Sequence, residues 1–208
     1  EAQPEIYEIR LNYAQALANT KHFEEAAAQL EKAEQLKPAQ PKTVELLAAT
    51  GLAELAAGDG AGATKRFEAV LALQPKNESA LLGMGRAALK NGDKVAAESW
   101  FRKAAEGNPA SLKELLPLAG IYEREGNFEK AIALYREFPE DALAQERAGE
   151  LLLEHGKAKE AIASLEASVK EKPGFENRQR LAVAYLRTGD GEKAAGVMRA
   201  AVEAEPGN

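Results

Sequence analysis

The chain has no cysteine, one tryptophan, two histidines and only 6% aromatic residues in 208. Without thiols there is no disulfide framework, no thiolate metal site and no cysteine nucleophile. A basic excess is missing too. The 27 Lys and Arg stand against 33 Asp and Glu, a net charge of −6, so a nucleic-acid backbone has no electrostatic footing and no nucleic-acid partner is expected. No apolar run approaches the roughly 18–20 residues that a membrane helix needs. Val, Ile and aromatic residues are sparse while Ala, Glu, Leu and Lys dominate, which favours an all-α chain over sheet.

What the sequence does have is a period. From Glu78 to Ser111, apolar residues fall at helical spacing (Leu81, Met84, Ala88), Asn91-Gly92-Asp93 interrupts them, and a second helical run carries Ala97, Phe101 and Ala104 before Pro109. The same helix-turn-helix unit is found six times, over 7–40, 44–77, 78–111, 112–141, 142–175 and 175–208. The first unit has Asn19-Thr20-Lys21-His22 where the others place a Gly-containing turn, and Tyr13, Ala14 and Leu17 on its first helix. Pro41-Lys42-Thr43 reads as three inserted residues between the first two units. The fourth unit is short, and Pro117, inside its first helix, is expected to kink it. Glu1-Ala2-Gln3-Pro4 matches Glu203-Ala204-Glu205-Pro206 at three of four positions, so residues 1–6 read as the tail of a preceding unit. The chain is expected to be a piece of a longer array.

The order large, small, aromatic along the first helix, then Ala, aromatic, Ala and a closing Pro along the second, resembles the tetratricopeptide repeat (TPR) family over nearly the whole chain. The usual early Trp of that family is replaced by Leu, Arg or Gln. The resemblance implies a right-handed α-α superhelix of about twelve antiparallel helices, a single array over 1–208. Each hairpin cannot bury its face alone, so neighbours stack.

Several motifs dissolve into the repeat. Gly83-Met84-Gly85-Arg86-Ala87-Ala88 imitates a dinucleotide fingerprint but follows no strand and lies inside a helix. Gly58 to Lys65 imitates a phosphate loop without its Gly-Lys-Ser/Thr ending. His22 and His155 sit at turns and have no Cys or second His nearby, so no metal or other cofactor is expected. Glu146, Glu150 and Glu154, with Arg147 among them, read as a charged solvated helix face. Asn77-Glu78-Ser79 is a glycosylation sequon by letter. Nothing resembles an active site, and the chain reads as no enzyme.

In the TPR family the first helix of each hairpin lines a groove that holds partners. Carried over by position, the resemblance gives a polar entrance (Glu8, Leu11, Asn12, Gln15, Asn19), a leucine-rich middle and a mixed-charge end (Leu143, Glu146, Arg147, Glu150, Glu154, Arg180, Val183, Arg187). The middle holds the partner-binding candidates Leu52, Leu55, Leu82, Arg86, Leu89, Lys90, Lys113, Leu116 and Arg124, with Ala48 and Glu123 among their neighbours. Leucines flanked by these cations suit an amphipathic peptide or protein segment with acidic flanks. The Lys and Asn positions of the carboxylate clamp found in TPR co-chaperones are not matched. The function expected is a non-catalytic protein-protein interaction scaffold, or alternatively the substrate-presenting or regulatory region of an enzyme whose catalytic domain lies elsewhere. Self-association through open ends is a further expectation. The Ala-rich style with Gly-Asp turns resembles bacterial arrays.

Overall fold

The architecture is built on one turn, repeated six times. The structure, a computed structural model, describes residues 4–204, with side chains over 6–204. Its helices come in pairs, and between the members of each pair one residue is left-handed: Lys21 (φ 64°), Gly58 (φ 103°), Gly92 (φ 80°), Gly126 (φ 78°), Gly156 (φ 74°) and Gly189 (φ 85°). The next N–H then reaches back five residues to a helical carbonyl, as from Asp59 to Glu54 (2.9 Å), Asp93 to Ala88 (2.9 Å) and Asn127 to Tyr122 (2.8 Å). This bond satisfies a carbonyl that the helix end would leave unpaired. The same residue commonly caps the following helix: the side chains of Asp59, Asp93 and Asn127 accept from Gly62, Ala96 and Lys130 N–H. Gly-Asp therefore closes one helix and opens the next.

Among the described residues there are twelve α-helices, in two compact units. Unit 1, Glu1–Glu114, holds α1 (Pro4–Asn19), α2 (Phe23–Leu36), α3 (Pro41–Ala57), α4 (Gly60–Leu73), α5 (Glu78–Lys90) and α6 (Lys94–Gly107), closing with a 3₁₀ segment, Pro109–Glu114. Unit 2, Leu115–Asn208, holds α7 (Leu115–Arg124), α8 (Phe128–Arg136), α9 (Ala142–Glu154), α10 (Ala158–Glu171), α11 (Phe175–Arg187) and α12 (Gly191–Ala204). In both, each odd-numbered helix (an A helix) packs antiparallel on the even-numbered one that follows (a B helix). Within each unit, a B helix also packs on the next A helix. All described residues are thus accounted for by an all-α solenoid architecture.

Small residues set how closely the helices approach. A Cβ on Gly85 would lie 2.3 Å from Phe101, and one on Gly83 2.3 Å from Phe67. The Gly-Met-Gly of the false dinucleotide motif therefore seats two phenyl rings, one from its own hairpin and one from the hairpin before. Phe67, Phe101, Leu30 and Leu165 are among the largest fully buried side chains, each on a B helix. Close-packed interiors of this kind leave no slack for added volume.

Four expectations are revised. Pro117 does not kink a helix: α7 starts at Leu115, which puts Pro117 in the first turn, where an N–H would have no helical partner anyway. Pro41-Lys42-Thr43 is not a linker but the first turn of a 17-residue α3, and buried Thr43 shares a 2.9 Å hydrogen bond with the Tyr7 hydroxyl. Pro4 to Ile6 belong to α1, while Glu1 to Gln3 and Pro206 lie outside the described residues. Tyr13, read as part of the packing pattern, is exposed.

A charged pair is buried inside unit 1. Glu54 on α3 is fully buried; Arg66 of α4 donates to it (3.3 Å) and also to Glu24 of α2 (2.6 Å). The second carboxylate oxygen of Glu54 has no partner. Burial pushes its pKa above the usual 4.5, against the pull of Arg66, and Asp59 and Glu24 add to the rise.

Candidate functional site

The A helices α1, α3 and α5 carry the candidate face of unit 1. Leu52 is exposed, and Leu82 and Leu89, seven residues apart and so on one side of α5, are half-buried. Leu55 is half-buried against the hydrophobic core, which makes it mainly a packing residue. Leu11 and Ala48, carried over as groove positions, are buried in that core. The cations divide into two kinds. Arg86 is ion-paired with Glu114 (2.7 Å), and Lys90 donates to the Leu55 carbonyl (2.8 Å), capping the C-terminal end of α3. Lys113, by contrast, is exposed and makes no ion pair or hydrogen bond. Two of the three cations in this unit thus hold its own elements in place.

A cavity of about 280 Å³ opens between α1 and α3, floored by Leu11, Leu46 and Ala49 and edged by Asn12, Gln15, Lys42 and Glu45. Asn12 and Gln15 were readable from the repeat register. Lys42 was not, because it lies on the stretch that looked inserted, and Glu45, at the start of the second unit, was not among the carried-over groove positions.

In unit 2, Leu116 is half-buried on α7, and Arg124, at its end, is exposed. The mixed-charge residues are not independently solvated. Arg147 of α9 pairs with Glu123 of α7 and with Glu150; Arg180 of α11 pairs with Glu150, with Glu146 (2.9 Å) and, more distantly, with Glu176 (3.7 Å). The result is a continuous ion-pair ladder across three A helices. Tyr135 of α8 donates to Glu123 (3.0 Å), and burial together with that bond pushes the phenol to about 12. The Glu123 contact holds Arg147 still further above its ordinary value. Beside the ladder, a cavity of about 370 Å³ lies between α9 and α11, lined by Leu153, Glu176, Gln179, Arg180 and Val183.

A third cavity, about 620 Å³, lies on the turn side of unit 2, walled by Phe128, Ile132 and His155 and rimmed by Glu125, Glu129 and Lys157. His155 is not merely a solvated turn residue: its ring lies 4.2 Å from that of Phe128, and Nδ1 is 2.7 Å from the Leu151 carbonyl. No sequence signal pairs these rings, which come from different hairpins. Asn77 of the sequon caps α5 through the Ala80 N–H and donates its amide to Gln74 (2.9 Å), so its nitrogen is already engaged. Among the described residues no three His, Cys, Asp or Glu converge to hold a metal ion, and no helix is long and apolar enough to cross a membrane.

Stacked helix hairpins with left-handed turns and small-residue contacts are what a tetratricopeptide repeat model describes, and one such model matches residues 1–41, 49–111 and 116–175. The chain belongs to the tetratricopeptide repeat family. A second model of this repeat covers 152–208. No curated protein matches the chain by sequence. Among solved structures it is similar to the C-terminal part of a TPR repeat-containing protein from Cytophaga hutchinsonii, at 16% identity and TM-score 0.57, over 93% of this chain and 79% of that one. It is also similar to YrrB, described as a TPR protein with an unusual peptide-binding site (19% identity, TM-score 0.39, 100% and 88% covered). MamA from Desulfovibrio magneticus RS-1 matches at 19% identity and TM-score 0.43 (99% and 98% covered). These likenesses concern the fold. As a TPR array the chain is a protein-interaction scaffold, with protein or peptide partners.

Proposed function

We propose that this TPR chain is a non-catalytic scaffold that holds an amphipathic peptide or protein segment against its A helices. In unit 1 the leucines Leu52, Leu82 and Leu89 supply apolar contact, and Lys113 meets an acidic flank; Leu55 supports them from below. In unit 2, Leu116 and Arg124 play the corresponding parts. Arg86 and Lys90 act indirectly, by fixing the 3₁₀ segment and the end of α3. The observations that support the reading are Leu52, exposed on α3, and Lys113, exposed and unpaired on the 3₁₀ segment that closes unit 1, an apolar side chain and an unsatisfied charge both open to a partner.

The test is selection of a displayed random-peptide library against the purified chain. Leucine-containing peptides with Asp or Glu flanks are expected to enrich. The double variant Lys113→Glu with Arg124→Glu is expected to lose the acidic preference while its circular dichroism stays helical. Leu52→Glu is expected to weaken binding of the enriched peptides at least tenfold, about 1.4 kcal/mol. Enrichment and affinity that are the same for all of these proteins would place the binding surface elsewhere.

A further inference from the structure

Where the turns of successive hairpins meet, the chain sets two positions against each other: the residue two after one left-handed residue, and the residue one before the next. Within the units these pairs are Phe23 with Ala57, Gly60 with Asn91, Phe128 with His155 and Ala158 with Thr188. A Cβ on Gly60 would lie 3.3 Å from the Asn91 side chain, so the junction is close as well as regular. Three of the pairs have Ala or Gly as one member. The fourth has two rings, Phe128 and His155, with centroids 4.2 Å apart. Stacking one hairpin on the next therefore does not call for a pair of rings.

A second departure from the repeat falls at the same place. Where Asp59, Asp93 and Asn127 cap their helices, α10 is preceded by Lys157, which makes no side-chain cap. Its amine ends 3.9 Å from Glu129 of α8, whose side chain is 90% exposed. Both departures border the cavity of about 620 Å³ in unit 2, with Ile132 as its apolar wall and Glu125 on its rim. Phe128 is half-buried and His155 exposed, so ring surface and carboxylates open onto one space. His155 gives its Nδ1–H to the Leu151 carbonyl, which leaves Nε2 of the neutral ring as an acceptor.

We infer that this cavity takes the arginine side chain of a basic segment of a partner protein. A guanidinium is flat, lies against an aromatic ring and presents a fork of N–H donors to a carboxylate, so Phe128 and Glu129 suit its two chemistries at once. A lysine ammonium, compact and strongly hydrated, gains less from the ring. An acidic side chain would meet the carboxylates of Glu125 and Glu129. Lys157 competes with the incoming arginine for Glu129, and at 3.9 Å it holds that carboxylate loosely. The net charge of −6 draws a basic segment towards the chain. The cavity lies among turns and uses none of the residues assigned to peptide binding, so the two readings stand or fall separately.

Nuclear magnetic resonance of the 208-residue chain tests it, with the probe acetyl-Gly-Gly-Arg-Gly-Gly-amide and its citrulline and lysine counterparts. The His155 ring protons are expected to shift saturably with the arginine peptide, with a Kd of about 1 mM, while those of His22, in unit 1, stay in place. The citrulline peptide, equal in shape but uncharged, is expected to bind about tenfold more weakly, and the lysine peptide roughly threefold. Glu129→Gln should weaken the arginine peptide roughly threefold, and Lys157→Gln should tighten it by a similar factor. Phe128→Leu should weaken it as well, and Phe128→Tyr should restore it. Glu129 and Lys157 are exposed, so their variants keep the test intact if a ring variant loses its helical circular dichroism. His155 signals that stay still up to about 10 mM arginine peptide, equal binding of the citrulline or lysine peptide, or a Lys157→Gln chain that binds no more tightly would each overturn the inference.

Discussion

Phe101 and Gly85 belong together at the smallest scale. The ring fills the space that the missing Cβ leaves, so Phe101→Ala opens a cavity and should cost about 3–5 kcal/mol. Gly85→Leu overfills the same contact, with an expected loss of at least about 1–3 kcal/mol. Urea denaturation followed by circular dichroism measures both. The sequence made this pair legible, because a glycine on an otherwise apolar helical face opposite an aromatic is the repeat's own signature. Glu54 was invisible to the same reading: at its position the pattern asks only for a residue on the buried side of α3, and nothing local announces that a carboxylate would be enclosed with Arg66. Its pKa is raised, so the folded chain binds this proton more tightly than the unfolded chain does. The Glu54 contribution is therefore least favourable above its folded pKa, and it improves as pH falls towards 4.5. Glu54→Gln removes that dependence. Comparing urea midpoints of the two proteins from neutral pH down towards pH 4.5, the difference between them should shrink or reverse on acidification; parallel curves would show that the buried carboxylate does not titrate in this way.

At the scale of elements, the turns were the most readable part and the ends of helices the least. Gly-Asp and Gly-Asn marked four turns because both residues have a defined task, the left-handed conformation and the cap, and Gly156-Lys157 marked a fifth by its glycine alone. The first turn lacked the letter but not the geometry: Lys21 takes the left-handed conformation with a side chain attached, and His22 makes no side-chain cap. Lys21→Gly is accordingly expected to stabilise the α1–α2 hairpin by about 0.5–1 kcal/mol, relieving the left-handed strain of a residue with a Cβ. Thermal unfolding with and without the substitution would check it. Helix boundaries were misread at two prolines, Pro41 taken as part of an insertion and Pro117 as a kink within a helix. Pro41 and Pro117 both sit in first turns, the one place in a helix where proline loses nothing. The groove positions were half legible. Helical register identified the exposed leucines, but it could not distinguish Lys113, which is free, from Arg86 and Lys90, whose partners Glu114 and the Leu55 carbonyl come from other elements.

At the scale of the molecule, the family and the all-α architecture follow from a period that survives local departures such as the short fourth hairpin. Net charge is a poorer guide. A value of −6 describes the whole chain, yet the ladder from Glu123 to Arg180 neutralises much of its own face within unit 2, and Lys113 offers an isolated positive point in unit 1. Partner selection would then depend on individual unpaired charges rather than on the overall field. Screening by salt acts on exposed charges of this kind. The proposed binding of acid-flanked peptides should therefore weaken between low and physiological ionic strength, by less than tenfold for so few contacts, while any contribution of the leucines persists. A titration by fluorescence anisotropy at two salt concentrations would measure it.

The five-residue backbone bond in each turn has a consequence for how the chain assembles. Every such bond closes a loop of only a few residues, and each hairpin's largest contacts are with its own other half or the hairpin next to it. Little entropy has to be surrendered before the first native contacts are rewarded, so folding need not wait for distant parts of the sequence to meet. Any hairpin can act as the seed, and growth then proceeds outward along the chain as a zipper does. Loss of order runs in reverse, starting wherever a hairpin has a neighbour on one side alone.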